Sequence, residues 1–307
     1  MTALLTIIAV CLDALLGEPR RWHPLVGFGR LAQAIERRFN LTAGHQTSLT
    51  LRVRGITAVV IAVAPWVLLA AVASRIPTLR YLVSVASLYF ALGHQSLRQH
   101  ALRVYHALTQ GNVDQARSSV GLMVSRDTGN MDTQAVATAA VESVLENGND
   151  AVFGALFWFL LAGAPGAVLY RLANTLDAMW GYRTPRFLYF GWAAARFDDL
   201  LNYVPARLTA LTYAVVGSTR AAWRCWRLQA GAWESPNAGP VMASGAGALG
   251  LALGGGAYYH GQWEERPPLG MGTPPDADAI SAAVRLVRLG VVLWLVAAVG
   301  IEVVEHA

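Results

Sequence analysis

Lysine is absent from this sequence: all 24 basic residues among its 307 positions are arginines. A Walker A phosphate loop, a Schiff-base enzyme and a ligase that forms a lysyl-adenylate intermediate each need a lysine. The chain therefore cannot use any of these three mechanisms. Cysteine is almost absent as well. Cys11 and Cys225 have no metal-ligand spacing between them, so we expect neither a disulfide nor a zinc site.

Charged residues are also scarce. They make up 14% of the chain, whereas an average soluble domain has about 25%. They are missing from long windows rather than diluted evenly, which predicts an integral membrane protein. We attribute the net charge of +5 to arginines retained on the cytosolic face. Attraction of acidic substrates is the alternative explanation.

Uncharged windows predict where the chain enters the membrane. The window Gly55 to Ser74 meets the length needed for a crossing helix, which is about 20 residues. The run Thr2 to Leu12 lacks a preceding basic region and a cleavage site, so we expect a retained segment. Further uncharged segments are predicted at Tyr81 to Leu97, Ala151 to Tyr170, Leu208 to Thr219 and Ser235 to Trp263. The last span is predicted at about Val284 to Val304, with Arg285 and Arg288 extending to the interface.

The predicted fold class is an all-α, polytopic helical membrane protein with about 4 to 6 membrane-embedded segments. We expect residues 1–307 to form a single integral-membrane domain. Within it, residues 98–150 are polar and have helical periodicity, and we expect them to form a cytosolic helical insertion.

A re-entrant helical hairpin is predicted within Ala151 to Tyr170, because Gly163-Ala164-Pro165-Gly166 interrupts the apolar run. A hairpin that turns at Pro165 keeps the following arginines on the cytosolic side, as the positive-inside bias requires. A straight crossing, the alternative, would place them outside: Arg171, Arg183, Arg186 and Arg196.

Three carboxylates, Glu142, Glu146 and Asp150, have the spacing i, i+4, i+8, which places them along one stripe of a helix. Like charges at this spacing repel, and no basic residue occurs between Arg126 and Arg171. A bound cation would neutralise the stripe, and oxygen ligands of this kind suit magnesium. A solvated acidic face is the alternative.

A second polar stripe is formed by Arg196, Asp199 and Asn202 at i, i+3, i+6, with Asp198 adjacent. Paired aspartates beside the bilayer are costly unless something pairs with them, which favours the rim of a site over a simple interfacial anchor.

Four further positions are candidates. Asn174 and Asp177 have the same polar spacing, with Arg171 nearby, and are expected to face the same cavity as the second stripe. Arg126 lies in Ser125-Arg126-Asp127-Thr128, where helix capping is the alternative role. His23 is either a base or an ordinary hydrogen-bonding residue.

Many short motifs occur in a fixed order along the chain. Those near the predicted site are Gly17-Glu18-Pro19 with His23-Pro24, Arg126-Asp127-Thr128, Glu142-Ser143 with Glu146-Asn147, Asp150, and Pro165-Gly166-Ala167 with Tyr170-Arg171. Those that follow are Asn174-Thr175-Leu176-Asp177, Phe190-Gly191-Trp192, Asp198-Asp199, Asn202, Pro205-Ala206-Arg207 and Ser235-Pro236-Asn237. Taken in this order, from about Asp13 to Gly250, the motifs resemble the adenosylcobinamide-phosphate synthase family.

The resemblance implies a multi-pass enzyme of the bacterial inner membrane, with its site facing the cytosol. Such an enzyme joins adenosylcobyric acid to aminopropanol or aminopropanol phosphate through an amide bond, using ATP. Membrane lipid and other cobalamin-pathway membrane proteins are the further expected partners, and nucleic acid is not one.

For that reaction we hypothesise the following roles for the candidate residues. Magnesium ligands are expected to be Glu142, Glu146 and Asp150, with Asp198 and Asp199. Phosphates or corrin carboxylates are expected to contact Arg126, Arg171, Arg196 and Arg207, with Asn174 and Asn202 beside them. The candidate base is Asp177 or His23.

The sequence is also compatible with two other functions. Asp198-Asp199-x-x-Asn202 also suits an intramembrane transferase that binds a prenyl diphosphate through magnesium. A corrinoid scaffold or permease without catalysis is the second rival, but it leaves the clustered acids unexplained.

The hairpin hypothesis predicts that positions beside Glu146 and beside Asp199 face the same side of the membrane. Single cysteines placed there, in a variant that lacks Cys11 and Cys225, should react with an impermeant thiol reagent from the cytosolic side only. Labelling of the two positions from opposite sides would show that Ala151 to Tyr170 crosses outright.

Overall fold

The computed structural model describes residues 1–19, 23–40, 47–259 and 261–306. The arginines at positions 20 and 21, which contribute to the positive charge of the first loop, lie outside these ranges. The chain separates into two compact units. Unit 1 comprises Met1–Gly93, Gly154–Asn202 and Ala298–Ala307, and unit 2 comprises His94–Phe153 and Tyr203–Ala297.

Helices dominate the described ranges, which confirms the predicted all-α class. The helices are α1 (Thr2–Leu16), α2 (Pro24–Phe39), α3 (Ser48–Arg75), α4 (Arg80–Ala91), α5 (His94–Thr109), α6 (Val113–Val120), α7 (Thr133–Gly148), α8 (Gly154–Trp180), α9 (Trp192–Val216), α10 (Thr219–Gln229), α11 (Ala238–Leu249) and α12 (Ala277–His306). A π-helical turn occupies Asn149–Phe153, and a 3₁₀ turn occupies Ala230–Ala232.

Within the described ranges, three helical stretches are long and apolar enough to cross a membrane: Ser48–Arg75, Thr133–Trp180 and Ala277–Glu305. Their mean hydropathies are 2.5, 2.0 and 2.2, respectively. Helix α1 is apolar but shorter. The protein is therefore a polytopic helical membrane protein, as predicted.

The prediction of one continuous segment over Tyr81 to Leu97 was wrong. Helix α4 ends at Ala91 after 12 residues, a length of about 18 Å against the roughly 30 Å of a hydrocarbon core. The backbone of Leu92 is extended, with φ −76° and ψ 143°, and the more polar helix α5 begins at His94. Counting uncharged residues did not detect this helix end.

The predicted helical hairpin is confirmed by the geometry of α8. Gly163 has φ 62° and ψ −148°, a conformation that residues with a Cβ rarely adopt. A methyl group at Gly154 would overlap the hydroxyl of Tyr170, although a straight helix would separate these residues by about 24 Å. The chain therefore reverses at Gly163, two residues before the predicted turn. Its re-entry into the membrane stays a prediction.

The core of unit 1 forms where α2, α3, α8 and α9 pack together. Trp180 and Phe190 lie at its centre with their ring centroids 5.2 Å apart. Small residues of α3, such as Ala58 and Ala62, are fully buried against this cluster. This packing holds the C-terminal part of α8, which contains Asn174 and Asp177, beside the start of α9.

The core of unit 2 is built around α7 and α11. Gly245 of α11 lies against Leu145 of α7, whose carbonyl accepts a 2.9 Å hydrogen bond from the Tyr213 hydroxyl. Helix α11 is almost completely buried, because its small residues let neighbouring helices approach closely.

Two short antiparallel strand pairs follow α11. Strand β1 (Ala252–Leu253) pairs with β4 (Leu269–Gly270), and β2 (Ala257–Tyr259) pairs with β3 (Gln262–Glu264). The segment before α7 fixes the second pair, because Asp127 donates its backbone N–H to the Tyr258 carbonyl (2.8 Å). Its carboxylate accepts the Gly261 N–H at 2.7 Å. The strands therefore bring the residues after β3 close to α7.

The hairpin requires glycine where its two arms meet, which gives a stability prediction. A Cβ at Gly166 would overlap the Trp158 carbonyl, so Gly166→Ala should lower the free energy of unfolding by about 1–3 kcal/mol, as overpacking does. Gly300→Ala is the control, because a Cβ there meets nothing within 4 Å. Thermal unfolding in detergent should show a lower midpoint for Gly166→Ala alone. Equal midpoints would contradict the packing of the arms.

Candidate functional site

A buried ion-pair cluster lies at the centre of unit 2. The Glu142 carboxylate is 1% exposed and lies between Arg126 (10%) and Arg266 (11%). Arg126 donates from Nη2 to Oε2 at 2.5 Å. Arg266 donates from Nη1 to Oε2 at 2.9 Å and from Nη2 to Oε1 at 3.3 Å. The Gly254 N–H completes the set, at 2.8 Å from Oε1.

Local structure fixes each member of the cluster. Helix α7 begins where the Asp132 carboxylate accepts the Ala135 N–H at 2.7 Å, an N-cap that sets the helix carrying Glu142. Arg266 donates from Nε to the Gly255 carbonyl at 2.9 Å. Burial alone would lower the pKa of the Arg266 guanidinium, but the Glu142 carboxylate holds that pKa above its ordinary value.

A polar cavity of about 250 Å³ lies beside this cluster. The charged residues that line it are Arg126, Arg266 and Glu146. Trp233 also lines it, with its ring centroid 5.6 Å from the Arg266 guanidinium carbon. The indole N–H of Trp233 is buried, and no atom of the described residues accepts its hydrogen bond. The cavity therefore combines positive charge, negative charge and an available donor.

A second polar cluster lies within unit 1. The Tyr170 hydroxyl donates to Asn202 Oδ1 at 2.8 Å, and Asn202 Nδ2 donates to Asp198 Oδ2 at 3.0 Å. Asn174 Nδ2 donates to Asp198 Oδ1 at 3.3 Å. The structure thus brings Asn174 together with Asp198 and Asn202. Asn202 contacts Asp198 rather than continuing the predicted stripe from Arg196 and Asp199.

The remaining candidates of unit 1 lie around this cluster. Arg196 Nη1 is 3.1 Å from Asp199 Oδ2. Asp199 also lies near enough to Asp177 for the two carboxylates to repel each other. The positive charge of Arg171 disfavours protonation of the His23 imidazole.

His23 caps α2, since its Nδ1 accepts the Leu25 N–H at 3.2 Å. Burial lowers the pKa of the His23 imidazole below its ordinary value; Glu18 opposes this shift and Arg171 adds to it. Because Nδ1 accepts the hydrogen bond from Leu25, the neutral form of the ring carries its proton on Nε2. A role as catalytic base stays a prediction.

Asp150 and Arg207 lie elsewhere in unit 2. The predicted stripe does not continue to Asp150, because α7 ends at Gly148 and the π turn changes the helical register. Asp150 instead accepts from Asn149 at 2.8 Å. Arg207 donates to Asn237 Oδ1 at 2.6 Å and lies over the Tyr203 ring.

A preformed metal centre is not found in the described part of the chain, where no group of three or more His, Cys, Asp or Glu side chains is arranged to hold an ion. Both oxygens of Glu142 are already occupied by N–H donors. As placed, this carboxylate does not fit a magnesium ligand. The magnesium assignment to Glu146, Asp150, Asp198 and Asp199 stays a prediction.

Sequence reasoning missed Arg266, Trp233 and Gly254 as members of the site. Arg266 was not predicted as a site residue, because its partner Glu142 is 124 positions away in sequence. Helix capping, the alternative for the segment containing Arg126, is provided by Asp132 instead. The available signal was a single arginine between Glu264-Glu265 and Pro267-Pro268, and it did not identify a distant partner.

Fold and site together define a polytopic helical membrane protein with a buried arginine and carboxylate cavity. The family model described as "CobD/Cbib protein" matches residues 6–287. A protein of Chromobacterium violaceum, named cobalamin biosynthesis protein CobD, is 60% identical over 294 residues, covering 95% of this chain and 94% of its own.

Relatives of the same name from other organisms are also similar. The Stutzerimonas stutzeri protein is 59% identical, covering 96% of each chain. The Mycobacterium tuberculosis protein is 39% identical, covering 92% of this chain and 90% of its own. No solved structure matches. The chain belongs to the CobD/CbiB family of cobalamin biosynthesis.

The ion-pair cluster gives a second stability prediction. Glu142→Gln keeps the shape of the side chain but leaves two buried guanidinium groups without a counter-charge. We expect it to lower the free energy of unfolding by about 3–5 kcal/mol, the usual effect of breaking a buried pair. Asp114→Asn is the matched control, because the Asp114 to Arg117 pair is largely exposed and such pairs contribute little. Similar unfolding midpoints for the two variants would contradict the buried ion pairs.

Proposed function

We propose that this protein is an ATP-dependent amide ligase of cobalamin biosynthesis. It joins (R)-1-amino-2-propanol or its O-phosphate to the free propionate carboxylate of adenosylcobyric acid, giving adenosylcobinamide or its phosphate. Family membership and the names of its relatives support a role in this pathway. The apolar helices support a location in a membrane. That this is the bacterial inner membrane, with the site on the cytosolic side, is part of the proposal.

The observation that carries the proposal is the polar cavity of unit 2, in a member of this family. Its two guanidinium groups suit the recognition of phosphates and carboxylates. Glu146 supplies a carboxylate in the same cavity. An amide-forming ligase needs both kinds of group, because it must bind anions and remove a proton from an amine.

The chemistry follows from the weakness of a carboxylate as an electrophile. Transfer of the γ-phosphoryl group from ATP to the propionate oxygen gives an acyl phosphate and ADP. The amine then attacks the acyl carbon, so that a C–N bond forms, the acyl C–O bond breaks and phosphate leaves. In this scheme Glu146, because it lines the cavity, takes the place of Asp177 and His23 as the acceptor of the proton that the amine loses, and is not a magnesium ligand. Arg126 stabilises the developing negative charge.

ATP and magnesium are the proposed cosubstrate and cofactor. Magnesium, when it accompanies the nucleotide phosphates, screens their charge. Asp198 and Asp199 of unit 1 remain the proposed contacts for the ion, and Arg171, Arg196 and Arg207 those for substrate anions.

The deciding experiment incubates purified protein with adenosylcobyric acid, ATP and magnesium, with each amine in turn. Mass spectrometry should detect the amide product, and ATP should be consumed only in the complete mixture. Consumption of a prenyl diphosphate instead would favour the transferase. Corrinoid binding without ATP turnover would favour the scaffold.

Substitution of Glu146 tests its role in this scheme. Glu146→Gln removes the proton acceptor and should lower kcat by about 10²- to 10⁴-fold, the usual contribution of a positioned base. Glu264→Gln, an exposed carboxylate on β3, should leave kcat unchanged and serves as the control. Full activity of Glu146→Gln would count against the assignment, and full activity of Asp199→Ala would count against the role proposed for unit 1.

A further inference from the structure

An apolar groove of unit 1 ends beside Arg52, an arginine without a carboxylate partner. We propose that this groove binds an acyl chain of an anionic phospholipid, with the lipid phosphate at Arg52. The groove has a volume of about 580 Å³, which is within the roughly 300 to 1,000 Å³ of ligand sites in proteins. The inference does not depend on the proposed ligase activity, because it concerns unit 1 rather than the polar cavity of unit 2.

Three helices form the groove, and all of its lining belongs to unit 1. Helix α3 contributes Ile56, Val60 and Leu68, which are exposed. Helix α8 contributes Leu169, and the start of α9 contributes Trp192. Exposed aliphatic side chains of this kind are unfavourable in water and favourable in the hydrocarbon of a bilayer. The groove therefore suits an apolar occupant.

The groove follows one face of α3. Its α3 lining shares this face, at helical spacing, with the arginine one turn before it: Arg52, Ile56, Val59, Val60, Val63 and Val67. From Ile56 to Leu68 the helix rises about 18 Å, which is close to one leaflet, about 15 Å or half of the hydrocarbon core. An acyl chain that begins beside Arg52 would therefore extend along the groove to the middle of the bilayer.

Arg52 supplies positive charge at the end of the groove. Its guanidinium carbon lies 5.3 Å from the centroid of the Trp192 ring and 5.9 Å from that of the Tyr189 ring. Among the residues that the structure describes, no carboxylate forms an ion pair with Arg52. A guanidinium that lies over aromatic rings keeps the N–H donors at its edge available. Arg52 can therefore contact a phosphate oxygen while it stays on these rings.

The unpaired charge favours an anionic lipid. Arg196 also lines the groove, but its guanidinium already has a carboxylate partner, since Nη1 lies 3.1 Å from Asp199 Oδ2. Arg52 precedes the uncharged window Gly55 to Ser74, and tyrosine and tryptophan beside it are typical of the membrane surface. Anionic lipids of the cytosolic leaflet attract arginines at this depth. A zwitterionic lipid fits the groove equally but neutralises the charge of Arg52 less.

Lipid binding to the purified full-length protein tests the headgroup assignment. The protein in mild detergent is titrated with phosphatidylglycerol and, separately, with phosphatidylethanolamine of the same acyl chains. Native mass spectrometry resolves the affinity of the first bound lipid. Phosphatidylglycerol should bind about fivefold more tightly, which is the effect of one arginine near an anionic lipid surface. Equal affinity for the two lipids would overturn the assignment of an anionic lipid.

An Arg52→Gln variant tests the location of the phosphate. It removes the charge at the end of the groove and leaves the apolar lining intact. The preference for phosphatidylglycerol should therefore disappear, while the affinity for phosphatidylethanolamine stays unchanged. Arg75→Gln, at the opposite end of α3, is the matched control and should keep the preference. If Arg52→Gln keeps it as well, the phosphate is not at Arg52 and the proposal fails.

Substitution of Val60 tests the groove itself. Val60 lines the groove, whereas Val72, a similarly exposed valine of α3, does not. Val60→Trp fills the groove and should lower the affinity for both lipids by about tenfold, which corresponds to about two methylene groups that are no longer buried. Val72→Trp should bind both lipids normally.

Two results of this comparison would count against the proposal. Wild-type affinity in Val60→Trp would show that the lipid binds elsewhere. A protein dimer that Val60→Trp dissociates and Val72→Trp does not would identify a second copy of the chain as the occupant of the groove, and would overturn the lipid assignment.

Discussion

The structure of unit 2 depends on one buried carboxylate. Glu142 is 1% exposed and receives hydrogen bonds from two guanidinium groups and one backbone N–H. These donors come from the segment before α7, from the turn after β1 and from the residues after β3. A charge buried this deeply is tolerated only when it is fully paired. The pairing therefore fixes three distant parts of the chain around one helix.

The same constraint decides what Glu142 contributes to the site. Its oxygens are occupied by Arg126, Arg266 and Gly254, so it orients the arginines and does not face a ligand directly. A magnesium ion would have to displace at least one of these donors. Glu146, one turn further along, lines the cavity instead. Two carboxylates on adjacent turns of one helix thus have different environments. We expect Glu142 to position the arginines and Glu146 to take part in the reaction.

Much of the fold was predictable because its signals are local. The Gly163 to Gly166 interruption indicated a hairpin, and the glycine at the turn adopts a conformation that other residues rarely adopt. The end of α4 was not predictable by counting charges, since Leu92 and Gly93 are uncharged. The partners of Glu142 were missed for a different reason. The search for a counter-charge considered only residues close in sequence. Arg266 reaches Glu142 through two short strand pairs that have weak sequence signals.

The absence of lysine agrees with the chemistry of the cavity. An ammonium group is a compact point charge, whereas a guanidinium has five N–H donors in a fixed plane. Arg266 uses this geometry fully, since it donates to both oxygens of Glu142 and to the Gly255 carbonyl. Arg126 holds the same carboxylate through one nitrogen and also lines the cavity. A lysine at either position would offer three donors from a single atom instead of a planar fork. Arginine is therefore better suited to the role proposed for these positions, in which one residue pairs with the buried carboxylate and also contacts a ligand.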